Sequence, residues 1–136
     1  MSVPEPLRHK GRLEVHIKGQ YLASYTVKIL SNNKTFNPEV DSELVRRIKT
    51  CALDILSKAW CANKIRADAN SINREMRYRL QEEAILQCDE MLAYIGIAKT
   101  VFHMRSKRMK YWGSLIIEER ALLQAWKESD IKRYGV

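Results

Sequence analysis

The residues best placed to do chemistry in this sequence are cations. Between Lys99 and Lys110 stand five bases, Lys99, Arg105, Lys107, Arg108 and Lys110, with no acid among them, and Tyr111 and Trp112 follow at once. Guanidinium and ammonium groups at this density neutralise phosphates and release counterions, which gives salt-sensitive, largely sequence-independent binding to nucleic acid. A second cluster, Arg8, Lys10, Arg12 and Lys18, lies near the N-terminus, and a third, Arg74, Arg77 and Arg79, lies in mid-chain. No recognition helix, RNP motif or zinc finger accompanies them, so base-specific reading has no motif behind it.

The residue types of catalysis are scattered instead. There is no glycine-rich phosphate loop, GxSxG or HExxH, and no pair of Glu-x-x-His motifs that would build a di-iron site. Cys51, Cys61 and Cys88 have neither CxxC spacing nor the number for a disulfide framework and read as reduced thiols at or near the core. His9, His16 and His103 are dispersed. The expectation is a protein that is not an enzyme, with no cofactor, metal or small-molecule substrate. Glu82, Glu83, Asp89 and Glu90 read as a solvated acidic face opposite the bases of a neighbouring helix. Glu119 is different, because its helical angle places it among apolar residues, where a carboxylate needs a partner. A structural or intersubunit ion pair is the expectation.

The elements that position these groups are helices. Of 136 residues, 46% are apolar, only 5 are glycine and 3 proline, and no proline follows Pro38. A sandwich or barrel needs turn signals every ~8 to 12 residues, which this chain lacks. The pattern predicts an all-α, antiparallel up-down-up-down four-helix bundle over 13–136, preceded by a flexible basic lead, 1–12. The first helix is predicted from Leu13 to Leu30, with Val15, Leu22 and Ile29 on one stripe and Leu13, Ile17 and Tyr21 on another. The second runs from about Asp41, with Asp41 or Ser42 as cap, to Ala67, with Leu44, Ile48, Cys51, Ile55, Ala59 and Ala62 inward. The third, Ile72 to His103, carries Ile72, Met76, Leu80, Ala84, Met91, Ile95, Ala98 and Phe102. Gly96 inside it suggests a close helix crossing or a break. The fourth, Lys107 to Arg133, presents Tyr111, Leu115, Leu122 and Trp126, with Trp112, Ile116 and Leu123 beside them. No apolar h-region and no run of ~18 apolar residues occurs, so a cytoplasmic protein without a membrane partner is expected.

That topology sorts the charge, 24 Lys+Arg against 16 Asp+Glu for a net +8. Arg8, Lys10, Arg12, Lys64, Arg66, Arg74 and Arg77 gather near one pole, and the Arg105 to Lys110 corner stands at the other. On the second helix, Arg46, Lys49, Leu53, Trp60 and Lys64 face away from the core stripe. A leucine and an indole among bases there point either to packing on a neighbouring helix or to a second buried face, used for subunit contact or nucleic acid.

Several runs also resemble a known family. Leu22-Ala23-Ser24-Tyr25-Thr26-Val27-Lys28-Ile29, Ala52-Leu53-Asp54-Ile55-Leu56, Ala62-Asn63-Lys64-Ile65, and above all Ser106-Lys107-Arg108-Met109-Lys110-Tyr111-Trp112 with Leu122-Leu123-Gln124-Ala125-Trp126 and Ser129-Asp130, are similar to the accessory variability determinant (Avd) proteins of diversity-generating retroelements. The resemblance spans about Leu13 to Tyr134. It implies a four-helix bundle that assembles as a basic homopentamer and associates with the element's reverse transcriptase, its template-repeat RNA and cDNA. In that setting the protein is a non-catalytic accessory to adenine-directed mutagenic reverse transcription. A small rRNA-associated bundle of the intervening-sequence type and a helical protein-only adaptor are the alternatives.

Overall fold

In a computed structural model the described residues are the backbone from Glu5 onward and the side chains from Gly11 onward. They form four helices: α1 (Glu5–Leu30), α2 (Pro38–Lys64), α3 (Ser71–Val101) and α4 (Ser106–Tyr134), with no strand among them. Each helix packs on its neighbours in chain order and α1 closes on α4. Cross-helix contacts fix the directions. His16 meets Trp60 and Lys58 meets Glu83, while Asp89 meets Arg120 and Lys18 meets Glu118, so every adjacent pair is antiparallel. This is an up-down-up-down four-helix bundle. No helix among the described residues is long and apolar enough to cross a membrane.

Local chemistry sets the ends. Asn37 Oδ1 accepts from the Glu39 amide at 2.9 Å and Pro38 opens α2, where its missing N–H costs nothing. The backbone is extended at Asp41, and its carboxylate caps the longer run by accepting from Leu44 N at 2.9 Å, so α2 is a single turn followed by a main helix. Asn70 caps α3 through Asn73 N at 2.7 Å. α1 begins at Glu5, so the segment predicted as a flexible lead is helical from that residue on.

The predicted stripe of α2 is buried throughout, but those of the other helices need correction. In α1, Val15 and Leu22 are buried, whereas Leu13, Ile17 and Tyr21 are about half exposed. The inward stripe passes instead through Gly19, Thr26 and Leu30. In α3, Ile72 is 69% exposed and Met76 is exposed too, because the 3,4 register continues from Ala84 through Gln81 to Arg77. In α4 the deepest residues are Trp112, Ile116, Glu119, Leu123, Trp126 and Asp130, while Tyr111 is exposed. The inward stripes of α3 and α4 thus include polar residues, and a reading by hydrophobicity turns aside at Arg77, Gln81 and Asp130, while Glu119 lies inward as its helical angle indicates.

Two of these polar positions satisfy each other. Arg77 Nε donates to Asp130 Oδ2 at 2.8 Å and Arg77 Nη1 donates to the Ile65 carbonyl at 2.9 Å. Gln81 Nε2 donates to the same carboxylate oxygen at 2.8 Å, and the guanidinium lies 5.1 Å from the centre of the Trp126 ring. Tyr78 reaches the carbonyls of Asp130 and Gly135 from α3, fastening the end of α4. Three of the four acids read as facing a neighbouring helix's bases do so, Glu83 with Lys58 at 3.1 Å, Glu82 with Lys127 at 2.6 Å and Asp89 with Arg120 at 2.7 Å, whereas Glu90 accepts from the Tyr94 hydroxyl of its own helix at 2.9 Å.

Glu119 does not. It is fully buried, both carboxylate oxygens lack a hydrogen-bond partner among the described residues, and the expected ion pair is not there. Burial, with a smaller contribution from neighbouring Glu118, pushes its pKa up to about 9, so the carboxyl is protonated at neutral pH. The close approach expected at Gly96 occurs at Gly19. A Cβ at Gly19 would collide with Glu119 Oε2, whereas Gly96 has open space around it and lies in an unbroken helix. Cys51 and Cys88 are buried free thiols, and burial raises both, Cys51 to about 12; Cys61 is exposed and free.

The Glu119 proton links stability to pH. The folded pKa lies above the unfolded value near 4.5, so the folded state binds the extra proton, and stability falls as pH rises between the two values. From pH 6.5 to 8.5 the unfolding free energy should drop by about 1.4 kcal/mol per pH unit. Glu119→Gln should flatten that slope in urea titrations at several pH values; a wild-type slope near zero would contradict a buried neutral carboxyl.

Candidate nucleic-acid interface

The α3–α4 corner is built by alternation of anchors and cations. α3 ends at Val101, and His103 takes a left-handed backbone (φ 54°), which lets Met104 N reach back to the Lys99 carbonyl at 3.0 Å. That six-to-one bond with a left-handed residue before it is a Schellman ending, usually made by glycine. Phe102 and Met104 are buried on either side of His103. The Phe102 ring sits 5.1 Å from Phe36 of the α1–α2 link, and Phe36 lies 6.0 Å from Trp112 of α4. Trp112 Nε1 donates to Thr26 Oγ1 of α1 at 3.0 Å. With these anchors inside, Arg105, Lys107, Arg108 and Lys110 are left outside, all exposed and without an ion pair among the described residues.

The antiparallel topology adds groups from the α1–α2 link. Asn32, Lys34 and Thr35 face Phe102, His103, Met104, Arg105 and Arg108 across a cleft of about 410 Å³. A shallower cleft of about 210 Å³ joins Tyr25, Lys28, Ile29 and Asn32 to Arg108. Tyr25 stacks edge-on against Tyr111 at 5.3 Å, and the Tyr111 and Tyr21 hydroxyls are 2.8 Å apart. Burial raises the Tyr25 phenol while the charge of Arg108 opposes it, which keeps the hydroxyl protonated beside the cations. Exposed cations thus stand next to the exposed rings of Tyr21 and Tyr111 and the partly buried Tyr25, a pairing of charge and aromatic surface of the kind that suits the backbone and bases of a single strand. Lys28, Lys34, Asn32 and Tyr25 escape a sequence reading because they come from another part of the chain. The signal that could have found them is the topology itself, which sets the first and third links at one end.

The opposite pole differs. Arg8 and Lys10 lie outside the described side chains. Arg12 is half-buried, and its charge lies close enough to His16 to hold that ring below its usual pKa, after the larger effect of burial. Lys64 Nζ sits 5.5 Å from the Trp60 ring, Arg66 pairs with Asp68 at 3.1 Å, and Arg74 donates to the Ala67 carbonyl at 3.2 Å. Arg77 must be withdrawn from the candidate nucleic-acid set, since it is buried and committed to Asp130. Among the described cations predicted for this pole, Arg74 and Arg77 are tied to groups of the fold, while Lys64 and Arg66 make their contacts on the exposed surface.

On the outer face of α2, Arg46, Lys49, Leu53, Trp60 and Lys64 are all exposed. Trp60 is 52% exposed even with its ring 5.3 Å from His16, so its packing on α1 covers only part of the indole. Leu53 and Trp60 border a groove of about 440 Å³ that also includes His16, Gln20 and Leu56. Arg46 bonds Glu43 one turn earlier. Among the described residues, no group of three or more His, Cys, Asp or Glu could hold a metal ion.

The two classes of arginine should separate in urea unfolding. Arg77→Met strands the buried Asp130 carboxylate and should cost about 3–5 kcal/mol. Arg105→Ala and Arg108→Ala should each change stability by no more than about 0.5 kcal/mol. Similar losses in both classes would contradict the division between committed and free cations.

No protein-family model, curated protein or solved structure matches this chain.

Proposed function

We propose that this protein is a non-catalytic nucleic-acid-binding scaffold whose α3–α4 pole holds RNA or cDNA through the phosphate backbone. The observation that carries the reading is the set of exposed cations Arg105, Lys107, Arg108 and Lys110, without an ion pair among the described residues and set on a buried aromatic base beside Tyr25 and Tyr111. The resemblance to Avd proteins supplies the setting: a complex with a reverse transcriptase and its template-repeat RNA, in which the polymerase does the chemistry of mutagenic cDNA synthesis. The same resemblance suggests a homo-oligomer, pentameric in that family. The half-exposed Trp60 and Leu53 on the outer face of α2 supply an apolar surface suited to subunit contact.

Two measurements test the reading. The combined variant Arg105→Glu, Lys107→Glu and Arg108→Glu should abolish binding of a single-stranded RNA in fluorescence anisotropy while helicity and mass stay unchanged. For the wild type, log affinity should fall against log salt with a slope of about −0.7 per neutralised phosphate. Undiminished binding by the variant or a flat salt response would refute the electrostatic pole. For assembly, light scattering should give a multiple of the 15.9 kDa chain that falls to one chain in Leu53→Asp/Trp60→Asp. A wild-type monomer would contradict the interface.

A further inference from the structure

The cleft at the cationic pole has a shape that backbone binding alone does not require. A ridge of exposed cations is enough to track a phosphodiester chain. Here Asn32, Lys34, Thr35, His103, Arg105 and Arg108 converge from two separate links around one concavity of about 410 Å³. That volume is at the small end of small-molecule sites, roughly 300–1,000 Å³, and suits one nucleotide unit rather than a strand passing through.

The lining is rich in donors. Asn32 Oδ1 is occupied by the Lys34 amide at 3.1 Å, which leaves the carboxamide NH2 as the group to offer. Thr35 adds a hydroxyl, and Lys34, Arg105 and Arg108 add three cations with no ion-pair partner among the described residues. No acid lines the cleft. His103 brings an imidazole at a left-handed position where glycine would be less strained, so a side chain stands here against local backbone preference. A phosphodiester carries one charge, whereas a phosphomonoester carries about −1.5 to −2 at neutral pH and three strong acceptor oxygens. Convergent cations and neutral donors in a one-nucleotide concavity match the monoester better.

We propose that this cleft captures the terminal phosphomonoester of a nucleic-acid strand, seating one end of the RNA while Lys107, Lys110 and the neighbouring tyrosines hold the adjoining backbone and bases. The inference rests on the binding reading of this pole and deepens it. It predicts a register, because a strand held by its end is positioned, whereas a strand held only by its backbone slides.

Fluorescence anisotropy with one RNA oligonucleotide in three forms, 5′-phosphorylated, 3′-phosphorylated and unphosphorylated, separates the two readings. The full-length wild-type protein should bind at least one phosphorylated form about tenfold or more tightly than the unphosphorylated one at matched ionic strength, as hydrogen bonds to a charged group imply. Lys34→Ala should bring the ratio of phosphorylated to unphosphorylated affinity down to about one, whatever it takes from binding of the strand as a whole, and circular dichroism should confirm unchanged helicity; a ratio that stays at the wild-type value would overturn the terminal-phosphate site. Equal binding of all three forms by the wild type would overturn the terminal-phosphate site and leave the backbone reading standing, whereas loss of binding to all three would refute the backbone reading itself. Inorganic phosphate that displaces the phosphorylated strand at concentrations comparable to the free phosphorylated oligonucleotide would overturn strand-end capture in favour of a free-phosphate site.

Discussion

The cationic pole depends on one aromatic contact set. Phe36 is wedged between Phe102 and Trp112, and Trp112 is tied to Thr26, so the first link, the end of α3, the start of α4 and the last turns of α1 meet in one buried cluster. Aromatic side chains bury large areas and have few rotors, which makes such a cluster stiff. Because Phe102 and Met104 flank His103 and point inward, the polar residues between and after them are forced outward. The exposed positions of Arg105, Lys107 and Arg108 follow from packing behind them rather than from interactions among themselves. Their mutual repulsion is tolerated because water and salt screen them, whereas Arg77, out of water, needs Asp130, Gln81 and Trp126 around it.

Charge is therefore sorted by commitment as well as by sign. Acids of α3 are matched by Lys58, Arg120 and Lys127 from adjacent helices, and Arg66 and Arg74 have partners at the α2–α3 link. Of the cations without an ion pair among the described residues, Lys34, Arg105, Lys107, Arg108 and Lys110 gather at the pole of the first and third links, while Lys49, Lys132 and Arg133 stand elsewhere on the bundle. A folded protein whose cations were spread evenly would present a weak field everywhere; here a few unpaired ones, set in and beside a concave site, focus it. The neutral Glu119 opposite Gly19 is a buried carboxyl that the fold accommodates by keeping its proton.

How far this was legible in the sequence varies by element. Helix count and, apart from the start of α1, boundaries to within a few residues follow from periodicity, as do the α2 stripe and the outward Leu53 and Trp60, because α2 carries only apolar residues inward. The stripes of α3 and α4 are displaced because Arg77, Gln81 and Asp130 occupy inward positions that a hydrophobic count assigns to solvent, whereas Glu119 is placed inward by its helical angle and lies there. The basic corner could be read from composition, but the cleft could not. Asn32, Lys34 and Thr35 are some seventy residues away in sequence from Arg105 and Arg108, and only the antiparallel turn of the helices brings them together.

The central claim is that nucleic acid is held at the pole formed by the first and third links. The most direct measurement is ultraviolet crosslinking of a single-stranded RNA oligonucleotide to the wild-type protein, with the crosslinked peptides identified by mass spectrometry. The account predicts crosslinks within residues 21–36 and 102–112, with Tyr25 and Tyr111 among them. Crosslinks confined to the Lys64 to Arg77 end of the bundle would contradict it.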